Sequence, residues 1–343
     1  MKVFTTSKVF LASLVFAAST QAQSLTTELD LTTGYSTEAR TWAGSTQLRT
    51  FGEVHPKIQF NLEGTWARRS TNTTDAFGAA YPYGGHVQLS EAYFERSFQR
   101  GPVIASVRGG QYRSPFGIYS RADHGYSGFL RAPLLRSEYY WSINSTMLER
   151  GVDVTFGTAR LSAEVSIATP GDNTDQLKRH SGLDSVVRVQ AYYKSVVVGA
   201  SHINSKSYSP DPDLYPGRMD FSGIDVRWMY GGVQLRGEWI IGQQWNGSRT
   251  NAGYVDAIIH PRFMGPVTAV FRTEQLSWFE APRTDYDWHG FRQTAGARLR
   301  IPGGLTAQFN VLHHSKLVAT SQRTAFDIAL TYSIRERRNK IEK

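Results

Sequence analysis

Arg113, Arg121, Arg131 and Arg136 fall in one stretch of the chain that lacks the alternation seen on either side of it. Tyr119, Tyr126, Tyr139, Tyr140 and Trp141 are interleaved with them. A guanidinium group keeps its charge at physiological pH and presents a planar fork of donors that matches oxyanions and carboxylates. Four of them converging on one space would attract and orient small anions. Spread over a surface loop they would only solvate it, so the chemistry depends on the elements that hold this stretch.

Those elements read as strands. Val103–Tyr112 precedes the stretch and Leu148–Phe156 follows it, and both alternate apolar with polar. An irregular insertion of this length is uncommon in a compact domain. It is expected where the flanking strands belong to the wall of a wide barrel and the insertion folds into the mouth. The same period-two pattern recurs at Thr26–Thr37, Trp42–Val54, Ile58–Arg69, His86–Phe98, Ala159–Ala168, Leu183–Tyr193 and Val196–Ile203. It continues at Met219–Tyr230, Val233–Gln243, Gly253–Arg262, Val267–Trp278, Phe291–Ile301, Leu305–His314 and Thr324–Ile334. In His86–Phe98 the register holds only if a bulge sits near Glu91–Ala92. Short Gly- and Pro-containing turns alternate with longer polar loops, the rhythm of an up-and-down barrel with short turns at one end and long loops at the other.

The fold class expected is therefore all-β: a transmembrane, up-and-down, antiparallel β-barrel of about sixteen strands with a long inward-folded third loop. Composition agrees. Mean hydropathy is −0.37, yet the chain holds 17 Tyr, 18 Phe and 8 Trp. Strands with one face to lipid and one to water hide their membrane face in such an average. Lys2 and Lys8, the apolar run Val9–Ala18 and the small residues Thr20 and Ala22 read as a secretory signal peptide over 1–22. The barrel domain is then 23–334, followed by a basic tail over 335–343. The chain has no cysteine, which excludes thiol chemistry and disulfide stapling. The net charge of +9 is carried partly by the leader and the tail, and the body keeps a mild basic excess. With no basic recognition helix, nucleic acid is not a partner.

A barrel of this size leaves an aqueous channel, so charges can line it in water. Arg108, Arg188, Arg227, Arg236, Arg272, Arg298 and Arg300 lie on strand faces opposite the apolar ones. They form the expected lumen path, and Arg113, Arg121, Arg131 and Arg136 the expected constriction. The competing reading pairs each arginine with Glu63, Asp225, Glu238, Glu274 or Asp327 across the wall. A barrel enzyme would need a nucleophile and a histidine in register. His202, His289, His313 and His314 sit in no such motif, and His313 and His314 point to opposite faces. No catalytic residue, metal site or cofactor is expected. The Asp-rich turns at Asp211–Leu214 and Pro170–Asp175 are turn formers.

The run V-R-G-G-Q-Y-R-S-P-F-G-I-Y over Val107–Tyr119, preceded by L-S-E-A-Y-F-E-R-S-F over Leu89–Phe98, resembles the phosphate-selective porin O and P family. Gln111, Pro115, Phe116 and Gly117 match the motif; the family's lysine ladder has no clear counterpart. The resemblance implies a homotrimeric porin of the Gram-negative outer membrane, in contact with its lipid. It implies passage of small anions, phosphate-like ones included, or of other small hydrophilic solutes.

Overall fold

The computed structural model describes residues 24–38, 40–68, 87–118, 129–131, 133–136, 148–170, 183–206, 218–243, 247–279, 287–315 and 323–339. They form one closed antiparallel barrel of sixteen strands in which each strand pairs with its sequence neighbours and the last closes on the first. The strands are β1 (Ser24–Ser36), β2 (Thr41–His55), β3 (Ile58–Arg68), β4 (Val87–Arg100), β5 (Val103–Arg113), β6 (Leu148–Gly157), β7 (Leu161–Pro170) and β8 (Asp184–Tyr193). They continue with β9 (Val196–Lys206), β10 (Arg218–Tyr230), β11 (Val233–Gln243), β12 (Arg249–Ile259), β13 (Val267–Phe279), β14 (Asp287–Ile301), β15 (Leu305–Ser315) and β16 (Thr324–Asn339).

The register follows the hydrophobic pattern. On β8, Ser185, Val187, Val189 and Ala191 are exposed outward, while Asp184, Val186 and Arg188 are buried towards the interior. Opposite-face alternation of this kind is what a wall between lipid and water requires. The bulge expected near Glu91 is present: β3 and β4 pair Glu63 with Glu91 and then Gly64 with Leu89, which leaves Ser90 as the extra residue.

Three strands differ most from expectation, and β14 is one of them, starting four residues early at Asp287. β12 starts at Arg249 and ends at Ile259, and a 3₁₀ turn at Arg262–Met264 follows it. The run T-N-A-G-Y alternates weakly, but pairing to β11 and β13 extends the strand over it. At the other end, residues 335–339 continue β16, with Arg335 opposite Glu28 and Asn339 opposite Ser24. Charged side chains can sit in a strand there because their inward face is wet. Residues 1–23 and 340–343, and with them the leader and the end of the basic tail, lie outside the described residues.

Candidate functional site

The site is the barrel lumen together with the root of the long insertion after β5. That root begins at a backbone irregularity. Gly110 has a φ of +136°, and a Cβ there would lie 2.3 Å from the carbonyl oxygen of Ala92. Only glycine fits such a close approach. Past it, Gln111, Tyr112 and Arg113 are buried in succession, so the alternation of β5 is lost and the chain leaves the wall.

The next residues, Ser114 to Ile118, are all buried. Phe116 enters an apolar cluster with Val186 of β8, Ile203 of β9, Met219 and Phe221 of β10, Ile240 of β11, Ala252 and Tyr254 of β12 and Leu276 of β13. These are inward positions. Gly223 makes room for the ring: a Cβ there would stand 3.2 Å from Phe116 Cζ. The Gly117 amide donates to Ser201 Oγ at 3.1 Å. Leu134 and Leu135, in a 3₁₀ turn, join the same cluster. The described parts of the insertion thus lie against the inner wall along β8–β13. Leu130 extends the contact to Ala43 and Ala329, on β2 and β16. Residues 119–128 and 137–147, Arg121 among them, lie outside the described residues, as does the side chain of Arg136.

The arginines hold this arrangement. Arg131 donates to Asp327 through Nε at 2.5 Å and Nη2 at 2.8 Å, to Ser36 Oγ at 3.0 Å, and to Glu38. Arg272 binds Asp256 at 2.6 and 3.0 Å and donates to the Arg131 carbonyl at 2.9 Å. Its guanidinium also stacks 3.9 Å from the centre of the Phe129 ring. Arg292 pairs with Glu274 at 2.6 Å, and the other oxygen of Glu274 accepts from the Leu134 amide at 2.6 Å. Arg113 pairs with Glu63, which also takes Arg49 at 2.9 Å. Arg108 bridges Asp153 at 3.0 Å and Glu164 at 3.2 Å, Arg188 meets Asp225 at 2.7 Å, and Arg236 meets Asp256 at 2.8 Å.

Of the arginines singled out in the sequence, then, Arg108, Arg113, Arg131, Arg188, Arg236 and Arg272 face carboxylates inside the barrel. Arg227, Arg298 and Arg300 also face inward, near the short-turn end, and form no ion pair among the described residues. Arg49, Arg292, Asp256 and the inward apolar face were not singled out. The apolar face does leave a trace: Val186-Val187 and Trp239-Ile240-Ile241 are apolar on both faces, which breaks period two at the strand ends nearest the long loops.

The wall built from β1–β5 and β16 borders a cavity of 690 Å³. Arg49, Glu91, Glu95, Arg108, Arg335 and Arg337 line it with charge of both signs. This part of the lumen is therefore polar, whereas the inner face of β8–β13 carries the apolar cluster with Phe116, Leu134 and Leu135.

The barrel superposes on solved structures. OmpF of Salmonella typhi, solved with daunomycin, superposes with a TM-score of 0.66 at 11% identity, covering 92% of this chain and 98% of that one. The fold is that of the sixteen-stranded outer-membrane porins. An OmpT loop-deletion mutant from Vibrio cholerae matches with a TM-score of 0.59 at 10% identity, over 92% of this chain and 100% of that one. The anion-selective porin from Comamonas acidovorans matches with a TM-score of 0.58 at 12% identity, over 90% and 98%. No family model and no curated protein matches the chain. The resemblance to the porin O and P family therefore rests on Val107–Tyr119 and Leu89–Phe98 alone.

The histidines weighed for hydrolytic chemistry do not assemble a relay. His202 Nδ1 faces both Ser222 Oγ at 3.1 Å and Asp220 Oδ1 at 3.9 Å. A triad needs the nucleophile and the acid on opposite ring nitrogens. His289 and His313 make cross-strand contacts to Ser277 and Thr324, at 2.9 and 3.2 Å, and His314 Nε2 lies 3.9 Å from Glu38.

Proposed function

We propose that the protein is a passive outer-membrane channel for small hydrophilic solutes with a mild preference for anions. The observation that carries the channel is the closed sixteen-strand barrel with a polar, charge-lined cavity. Movement through it is diffusive. The fold supports placement in the outer membrane of a Gram-negative-type envelope, and the leader read over 1–22 supports export to it.

The anion preference rests on Arg227, Arg298 and Arg300. A guanidinium that forms no ion pair with the lumen wall among the described residues leaves positive potential for a passing ion. Arg113 and Arg131 act as braces that hold the insertion, with their charge offset locally. In this reading Arg121 and Arg136 complete the narrow zone. Preference for phosphate itself is the finer form, carried by the motif resemblance, and its signature is block of chloride current by phosphate. The pairing of Arg108, Arg113, Arg131, Arg188, Arg236 and Arg272 favours a second reading, a general channel without ionic preference.

Osmotic swelling of liposomes carrying the refolded protein tests the channel itself. Fast swelling in small sugars with a steep decline as solute size grows is expected; swelling no faster than protein-free vesicles would refute it. Assembly as a homotrimer is part of the same proposal and is read from the mass of the detergent-solubilised protein.

A further inference from the structure

We propose that Glu149, Asp184, Ser114 and Ser205 form a divalent-cation site of calcium type at the root of the insertion. Glu149 is 0% and Asp184 2% exposed, and the two carboxyl groups lie against each other. Ser114 stands beside Glu149 and Ser205 beside Asp184, at 1% and 0% exposure. Among the described residues, no hydrogen-bond partner from outside this group reaches either oxygen of either carboxylate or either serine hydroxyl.

The contrast with the rest of the barrel is specific. Glu63, Asp153, Glu164, Asp225, Asp256, Glu274 and Asp327 are equally buried, and each meets an arginine. Among the described residues, Glu149 and Asp184 meet none. Two adjacent carboxylates taken out of water without a counter-charge are strongly unfavourable. A shared proton would ease the repulsion, but it would leave one net negative charge buried with no counter-charge. A divalent cation supplies that charge. Six hard oxygens gathered in one place form the donor set that calcium takes, in a geometry loose enough to accept side chains from separate elements.

The backbone explains the convergence. Asp184 pairs directly with Ser205 across β8 and β9. Asp184 also pairs with Ala168 and Ala168 with Gly151, so the inner face between Glu149 and Asp184 carries only an alanine and a glycine. That gap lets the two carboxylates reach each other. Ser114 is the first residue after β5, so a cation here would tie the insertion to β6, β8 and β9 at the long-loop end of the barrel.

The test is calorimetric titration of CaCl₂ into the full refolded chain in nonionic detergent, after EDTA treatment and dialysis. Saturable uptake of about one Ca²⁺ per chain is expected, with Kd of roughly 10⁻³ M or tighter, as for extracellular calcium sites. S205A keeps both carboxylates and should weaken uptake several-fold; D184N should abolish it. E149Q/D184N should fold as well as the wild type with EDTA and show no calcium-dependent rise in Tm, whereas the wild type gains one through linked binding. If the double variant does not fold, D184N and S205A decide. A folded wild type that takes up no Ca²⁺ would overturn the site in favour of a shared proton. So would uptake unchanged in both D184N and S205A.

Discussion

Arg298 and Arg300 sit two residues apart on the inner face of β14, opposite Thr268 on β13 and Gln308 and Thr306 on β15. With neutral neighbours on both sides their charge is turned to the lumen. R298A/R300A should move the reversal potential of the channel towards that of a non-selective pore while leaving its conductance near wild type. Arg131 makes the opposite case. It is buried against Asp327, Glu38 and Ser36, so R131A strands two carboxylates and should cost about 3–5 kcal/mol in urea unfolding. R131A should also raise conductance, because the brace on the insertion is gone. The inward direction of these side chains was legible in the sequence, since period-two alternation sets the face of every strand residue. Their partners were not. Which carboxylate lies level with Arg131 depends on where residues 129–136 cross the barrel, and nothing in the local pattern encodes that path.

At the scale of elements, the long insertion is positioned by hydrophobic burial and then pinned by charge. Phe116 is fully buried among side chains of six strands, with its ring over Gly223. Phe116→Ala should cost about 3–5 kcal/mol, as for other large-to-small core changes. G223L should displace the ring without removing it and give a wider, noisier channel in single-channel traces. The motif S-P-F-G marked this segment in the sequence, and the structure gives it a physical role: Phe116 is the anchor and Gly110 the point where β5 stops alternating. The apolar lining of β8–β13 was harder to read. A lumen is expected to be polar, and the doubled apolar pairs at Val186-Val187 and Ile240-Ile241 look like ordinary membrane strands until the insertion is seen to cover one member of each. The strand ends were close to those expected, except at β12, β14 and β16. There, pairing with neighbours carried weakly alternating or highly charged residues into the sheet.

For the whole molecule, the barrel interior has an apolar side and a polar side. Phe116, Leu134 and Leu135 pack on β8–β13, and the polar cavity of 690 Å³ borders β1–β5 and β16. The outer surface carries the other half of the pattern. Val189 is exposed and outward on β8 between inward Arg188 and Gln190. Val189→Arg should therefore destabilise the protein in lipid by about 2–4 kcal/mol, whereas Gln190→Glu, which faces Arg188 and Arg227 inside the barrel, should be tolerated. Comparing the two in vesicle-refolded protein checks the face assignment directly. Strand number, closure and termini at the short-turn end followed from counting alternating segments between turns, because an even number of up-and-down strands returns the chain to its starting side.

In the proposed function the lumen conducts, and its arginines that form no ion pair among the described residues bias it towards anions. Single-channel recording of the refolded wild type in a planar bilayer, under a KCl gradient, tests both at once. Steady ohmic conductance with a reversal potential of the sign set by chloride is the expected result. A folded barrel that does not conduct, or a reversal potential of the sign set by potassium, would contradict it.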